Sequence, residues 1–174
     1  MTRIGVLSDT HGYLDPRVKE HFRDVDEIWH AGDIGSYEVL QALREYKPTR
    51  AVFGNMDGGD VRYSLSEFYR FRVEDVNVLM THIGGYPGHY NPWLIPMFQK
   101  AKAHADDPNQ RIDLFVCGHS HILKVMFDDT WKMLTMNPGA AGLQGWQTVQ
   151  TLLRFTIDKD QIKDLEVVEL GRKR

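Results

Sequence analysis

Five apolar runs in this chain end alike: a β-branched or aromatic stretch stops at a turn that carries Asp, Asn or His. Arg3 to Ser8 (RIGVLS) gives way to Asp9-Thr10-His11-Gly12, Glu27 to His30 (EIWH) to Ala31-Gly32-Asp33, and Arg50 to Phe53 (RAVF) to Gly54-Asn55. Val76 to Met80 (VNVLM) stops at Thr81-His82, and Ile112 to Cys117 (IDLFVC) at Gly118-His119-Ser120-His121. Short runs of this kind read as buried strands. In open α/β sheets, ligands gather in the crevice beyond the carboxyl ends of the strands. The pattern therefore predicts an α/β sheet whose loops, though far apart in sequence, converge on one site.

The segments between the runs agree with that class. Asp15 to Arg23 (DPRVKEHFR) predicts a helix with Asp15 as N-cap and Pro16 in the first turn, where its missing N–H costs nothing. Ser36 to Tyr46 (SYEVLQALREY) puts Val39, Leu40 and Leu43 on one face, with Ser36 as cap and Pro48 as stop. Alternating strands and helices argue for a parallel sheet with crossover helices. The later part changes character. Phe68 to Val73 and Val76 to Thr81 predict a hairpin turning at Glu74-Asp75. Leu123 to Phe127, Lys132 to Met136, Val149 to Thr156 and Ile162 to Leu170 predict strands joined by tight turns, giving a second, mostly antiparallel sheet packed on the first. Ile83 to Asn91 (IGGYPGHYN) is a loop and Trp93 to His104 a helix, together placed to wall the site. Tyr86, His89, Tyr90 and Trp93 either face a substrate there or pack on one another.

A chain of 174 residues, 42% of them apolar, suits one domain over residues 1–174 with one core. A formal charge of -3 provides no general basic field for phosphate backbones, so stable nucleic-acid binding is not expected. The basic run Arg172-Lys173-Arg174 reads as a solvated end. Cys117 is the single cysteine and lies in an apolar strand pattern; it reads as a core residue in a reducing, cytoplasmic setting. No apolar run approaches the roughly 18 residues of a membrane span, and the chain opens on a strand pattern rather than a signal peptide.

The seven residues at the turns, Asp9, His11, Asp33, Asn55, His82, His119 and His121, are enough for two divalent ions. Two ions roughly 3.5 to 4 Å apart clamp the attacking and leaving oxygens of an in-line displacement, and holding them that close needs a bridging carboxylate. Asp33 is the candidate bridge. A mixed oxygen and imidazole set suits a transition metal rather than Ca or Mg alone. The i, i+2 spacing of Asp9 with His11, and of His119 with His121, puts both side chains of each pair on one side of an extended segment. Glycines beside the ligands allow tight or positive-φ turns. Asp33, Asn55 and His82 are the candidates for a direct part in chemistry, Asn55 by contacting phosphate and His82 by adding positive potential.

Taken in order, D-x-H, GD, GN, a lone His and GHSH resemble the signature of the calcineurin-like metallophosphoesterases. SDTHG, HAGDI, GNMDG, THIGG, CGHSH and NPGA are similar to the motifs of their compact YfcE-type phosphodiesterases, from Arg3 to about Ala140. The resemblance implies a four-layer αββα sandwich, two mixed β-sheets flanked by helices. It implies Asp9, His11, Asp33 and His121 around one ion and Asp33, Asn55, His82 and His119 around the other. The implied ions are manganese, with nickel, iron or zinc as alternatives. The implied reaction is hydrolysis of a small, nucleotide-like phosphodiester by a metal-bridging hydroxide, in a possible homo-oligomer. Where many members read GNHD or GNHE this chain has Met56, which can neither donate a proton nor carry charge. Asp57, His30 and Asn137 are candidates to support the ligands from behind. A phosphomonoesterase, nucleotidase or nuclease of the same family is the alternative enzyme. An interaction scaffold resembling the retromer subunit Vps29 is the alternative without catalysis; such scaffolds tend to lose ligands, and here all seven positions carry acceptable types.

Overall fold

In the computed structural model, which describes residues 1–172, β1 (Thr2–Leu7) leads through α1 (Pro16–His21) to β2 (Glu27–His30). The chain continues through α2 (Tyr37–Tyr46) to β3 (Thr49–Ala51) and α3 (Gly59–Ser64). The hairpin β4 (Phe68–Val73) and β5 (Val76–Thr81) follows, then α4 (Ile95–Ala103) and β6 (Leu114–Val116). Two more hairpins close the fold: β7 (Lys124–Asp128) with β8 (Met133–Asn137), and β9 (Val149–Asp158) with β10 (Gln161–Arg172). Lys173 and Arg174 of the basic run lie outside the described residues. Among the described residues no helix is long and apolar enough to cross a membrane.

Local chemistry sets the helix starts as expected. Asp15 accepts a hydrogen bond from Arg17 N at 2.9 Å and Ser36 from Val39 N at 3.3 Å, each ahead of its helix. Val39, Leu40 and Leu43 form the buried face of α2. Helix α3 has no counterpart in the sequence reading, because its six residues bury only Val61 and leave no periodicity to detect.

The strands form two five-stranded sheets, ordered β10-β9-β1-β2-β3 and β4-β5-β6-β8-β7. Both are mixed. The expectation of a mostly antiparallel second sheet is corrected on two counts. β6 pairs parallel with β5 and with β8 at the centre of that sheet. The long β9–β10 hairpin belongs to the first sheet, where β9 runs antiparallel to β1 with Val6 opposite Leu153. The reason is that β1 is buried on both faces and paired on only one edge by β2, so its other edge needs a neighbour. In each sheet the parallel strands point the same way, which brings the ends of β1, β2, β3, β5 and β6 together.

The single expected core is also corrected, since a four-layer stack has three apolar interfaces. Between the sheets, Trp29 packs edge-on against Phe71 and Phe155 at 5.0 and 5.5 Å, among Ile4, Val6 and Met80. Outside the first sheet, Phe22, Leu40 and Leu43 bury Leu7 and Ile28. Outside the second, Phe98 of α4 covers Leu79 and Phe115. These layers hold five loops at one rim.

Candidate metal centre

All seven candidate residues meet at that rim, and the backbone is bent to bring them there. Asp9, His11, Asp33, His119 and His121 all have positive φ, between 47° and 70°. This left-handed region costs a side chain with a Cβ about 1–2 kcal/mol, and such strain is concentrated at functional sites. The neighbouring glycines contribute in both ways: Gly12 and Gly32 take the expected positive φ, and Gly54 leaves room, since a Cβ there would lie 2.1 Å from Asp33 Oδ1. The first two loops are laced together by Asp9 N to Gly32 O at 2.9 Å and His11 N to Asp33 O at 3.0 Å.

Each ligand candidate is held by one atom and presents another. The Asp9 carboxylate accepts from Ser8 Oγ at 2.6 Å and His119 N at 3.1 Å, both through Oδ2. Its Oδ1 is buried without a hydrogen-bond partner and lies 3.1 Å from His121 Nε2 and 3.7 Å from His11 Nε2. His82 donates from Nδ1 to Ala31 O at 2.7 Å, which leaves Nε2 unprotonated in the neutral ring, buried and without a hydrogen-bond partner. Asp33 accepts from Met56 N at 2.8 Å through Oδ1 and turns Oδ2 to His82 Nε2 at 3.0 Å and His11 Nε2 at 3.8 Å. His121 Nδ1 faces Gln147 Oε1 at 3.1 Å, and His119 Nδ1 lies 3.1 Å from Asn55 Oδ1.

The result is two clusters of donors, Asp9, His11 and His121 in one and Asp33, His82 and His119 in the other. Asp33 Oδ2 points between them. Buried lone pairs aimed at a common point without proton partners would be costly in a site built for hydrogen bonding alone; they fit cations. The ionised carboxylates agree, while the same acids pull His82 the other way, toward a protonated ring whose proton a cation would have to displace. Burial opposes ionisation of Asp9, but His11, His121 and His82 outweigh it and hold its carboxyl well below the usual range. Asp33 is likewise lowered, burial being outweighed by His82 and the Met56 N–H. His82 is raised despite its burial because Asp33 and Asp9 face it, while His119 is lowered by burial and by His82.

The three supporting candidates all brace the loops. Asp57, 5% exposed, accepts from Ile34 N at 3.2 Å, Gly35 N at 2.8 Å and Gly54 N at 2.8 Å. Asn137 donates to Gly118 O at 2.9 Å and to Ser120 Oγ at 3.1 Å. His30 accepts from Gly32 N at 3.1 Å through Nδ1, and its Nε2 lies 3.0 Å from Thr10 Oγ1, whose own proton goes to Ile34 O. Two further residues support the site: Ser8, which opens the SDTHG motif without being a ligand type, and Gln147, which stands in no periodic run or ligand-like motif. The four aromatic candidates divide: Tyr86 and His89 pack on each other, Tyr90 packs against the core beside α4, and Trp93 is exposed. Tyr86 lies 4.7 Å from His89, and Tyr90 packs against Phe98 and donates to Asp128.

Burial drives the pKa of His30 down to about 4, since the neutral ring is the form that fits. The unfolded chain therefore binds a proton that the native state refuses between about pH 6.5 and 4, and stability falls as the pH drops through that window. Between about pH 7.5 and 5 the expected loss is roughly 2 kcal/mol. Urea midpoints of metal-free protein should fall accordingly, and His30→Gln should flatten the decline; an equal decline in the variant would assign the effect elsewhere.

A family model described as the calcineurin-like phosphoesterase superfamily domain matches residues 2–160. The chain belongs to that superfamily. A probable metallophosphoesterase of Methanothermobacter thermautotrophicus is 29% identical over 176 residues, which cover 97% of this chain and 92% of its own. A second, from Methanocaldococcus jannaschii, is 29% identical over 142 residues, covering 79% and 67%. Among solved structures, Vps29 of Chaetomium thermophilum superposes with a TM-score of 0.70 at 16% identity, over 99% of this chain and 100% of its own. Yfce, a phosphoesterase from E. coli, gives 0.63 at 18% identity, over 94% and 98%. These structural likenesses share the four-layer fold, while membership of the superfamily makes this a metallophosphoesterase chain with His and Asp groups able to bind metal.

Proposed function

We propose that this superfamily member is a dinuclear-metal phosphodiesterase acting on a small, nucleotide-like diester, with manganese as its working ion. The observation that carries the reading is the meeting of two donor clusters at Asp33, with buried lone pairs on Asp9 and His82 aimed inward. Asp9, His11 and His121 would hold one ion, His82, His119 and Asn55 the other, and Asp33 both. When bound, such a pair supplies an activated water and neutralises charge on the phosphoryl oxygens. Asn55 and His119 lie on the exposed side of the cluster, where they can orient a phosphoryl group. Met56 is 67% exposed beside them and can protonate nothing, so the site favours leaving groups that depart without a proton. The mixed carboxylate, amide and imidazole donors support a transition ion, manganese among them.

The test is hydrolysis of bis(p-nitrophenyl) phosphate and p-nitrophenyl phosphate by chelator-stripped protein with manganese restored. Turnover that needs the metal and prefers the diester is the expected result. Preference for the monoester would move the reading to a phosphomonoesterase or nucleotidase, and silence with manganese, nickel, iron and zinc alike would leave the interaction scaffold. A second prediction concerns Gln147, whose amide carbonyl fixes the His121 ring. Gln147→Ala should weaken metal binding about 10–100-fold, as loss of a partner behind a ligating His does. Calorimetric titration with manganese checks it, and an unchanged affinity would mean that the ring is oriented by other contacts.

A further inference from the structure

Beside Asn55 and His82 a cavity of about 150 Å³ opens into the fold. Its apolar walls come from three places in the chain: Phe53 after β3, Phe68 at the start of β4, and Ile83, next to His82. The Arg62 guanidinium lies over the Phe53 ring, 4.3 Å from its centroid, and is tied to Asp57 O at 3.0 Å. Two polar groups in the lining are turned to other partners. Thr81 Oγ1 donates to Glu67 O at 3.1 Å, and the Asn91 amide is engaged with Ile83 O and Trp93 N. The exposed Glu67 also lines the cavity and opposes a second anionic group there.

The space thus offers aromatic and aliphatic walls, a cation suited to the face of a ring, and direct continuity with two candidate metal ligands. A cavity of about this size lined by Leu, Ile and Phe side chains takes up one benzene molecule. We propose that it is the subsite for a single aromatic ring, an aryl or pyrimidine group attached to the phosphoryl group held at the metal centre, with Phe53, Phe68 and Ile83 setting that preference. This rests on the phosphodiesterase reading and narrows its substrate class to diesters that carry a one-ring substituent.

The experiment is calorimetric titration of the manganese-loaded full chain with phenylphosphonate and with methylphosphonate, alongside turnover of bis(p-nitrophenyl) phosphate. Phenylphosphonate should bind at least about tenfold more tightly, the lower bound for burying a ring-sized apolar group. Ile83→Trp, which fills the cavity, should erase that advantage and leave methylphosphonate unchanged. Ile83→Ala, which removes one wall without adding bulk, should reduce the advantage and serves if the tryptophan variant does not fold. Equal affinities in the wild type, or an advantage untouched by either variant, would overturn the subsite. A ring preference without diester turnover would keep the subsite and overturn the phosphodiesterase; turnover without a ring preference would do the reverse. Failure to bind either phosphonate would overturn both.

Discussion

Asp33→Asn is expected to abolish the binding of both ions and to lower turnover by more than about a thousandfold, since losing even a partner behind a ligand costs 10–100-fold. The argument is geometric. Asp33 Oδ2 faces His82 at 3.0 Å on one side and His11 at 3.8 Å on the other, as Asp9 Oδ1 also does at 3.8 and 3.7 Å, so the Asp33 charge serves both clusters at once. The fold should survive. Asparagine keeps an acceptor for Met56 N and tolerates the left-handed φ of 53° better than other residues with a Cβ. Metal content by mass spectrometry and a thermal melt separate the two effects. His121→Ala provides the contrast, because it touches one cluster only and should leave one ion in place. Two ions retained in Asp33→Asn would end the bridging assignment.

Asp57→Ala should destabilise the fold by about 3–5 kcal/mol, at the cost of roughly 1–3 kcal/mol for each buried donor left unpaired. Its carboxylate takes three backbone N–H groups, two from the Asp33 loop and one from the Asn55 loop, in a place that water barely reaches. It therefore sets the distance between two loops that carry candidate ligands without itself belonging to either donor cluster. Metal affinity should fall with stability, while Asp57→Asn, which keeps one carbonyl oxygen, should recover part of both. Chemical denaturation gives the first quantity and manganese titration the second. A variant that is weakened in metal binding at full stability would show Asp57 acting on the ligands by charge rather than by bracing.

What the residues announce and what they conceal follow from range. The strand ends, the capped helices and all seven candidate ligand positions are written locally, as apolar runs, caps and turn chemistry at fixed offsets, and the structure brings the seven together. The placement of β9 and β10 is not local: nothing in Val149 to Leu170 says which sheet it joins, because that depends on the open edge of β1 more than a hundred residues away. Gln147 is hidden for the same reason. It is one polar residue in a glycine-containing loop, and only the tertiary fold sets it behind His121. Phe53 and Phe68 read as ordinary strand residues until the fold turns them toward one cavity. Long-range pairing and partial burial are the parts that a pattern of period two or 3.6 cannot carry.

The left-handed backbone at Asp9, His11, Asp33, His119 and His121 has an evolutionary consequence. At about 1 kcal/mol apiece, five such residues hold roughly 5 kcal/mol, a sum comparable with the whole net stability of an ordinary domain. On the proposed reading, metal binding is the reason for bulky polar side chains where the chain geometry would rather have glycine. A descendant relieved of that selection would gain stability by exchanging His11, His119 or His121 for glycine, whereas Asp9 and Asp33 also accept backbone N–H bonds that glycine would leave unpaired; recovering the histidines would give that stability back. Loss would run downhill and recovery uphill, so the geometry of these loops works as a ratchet.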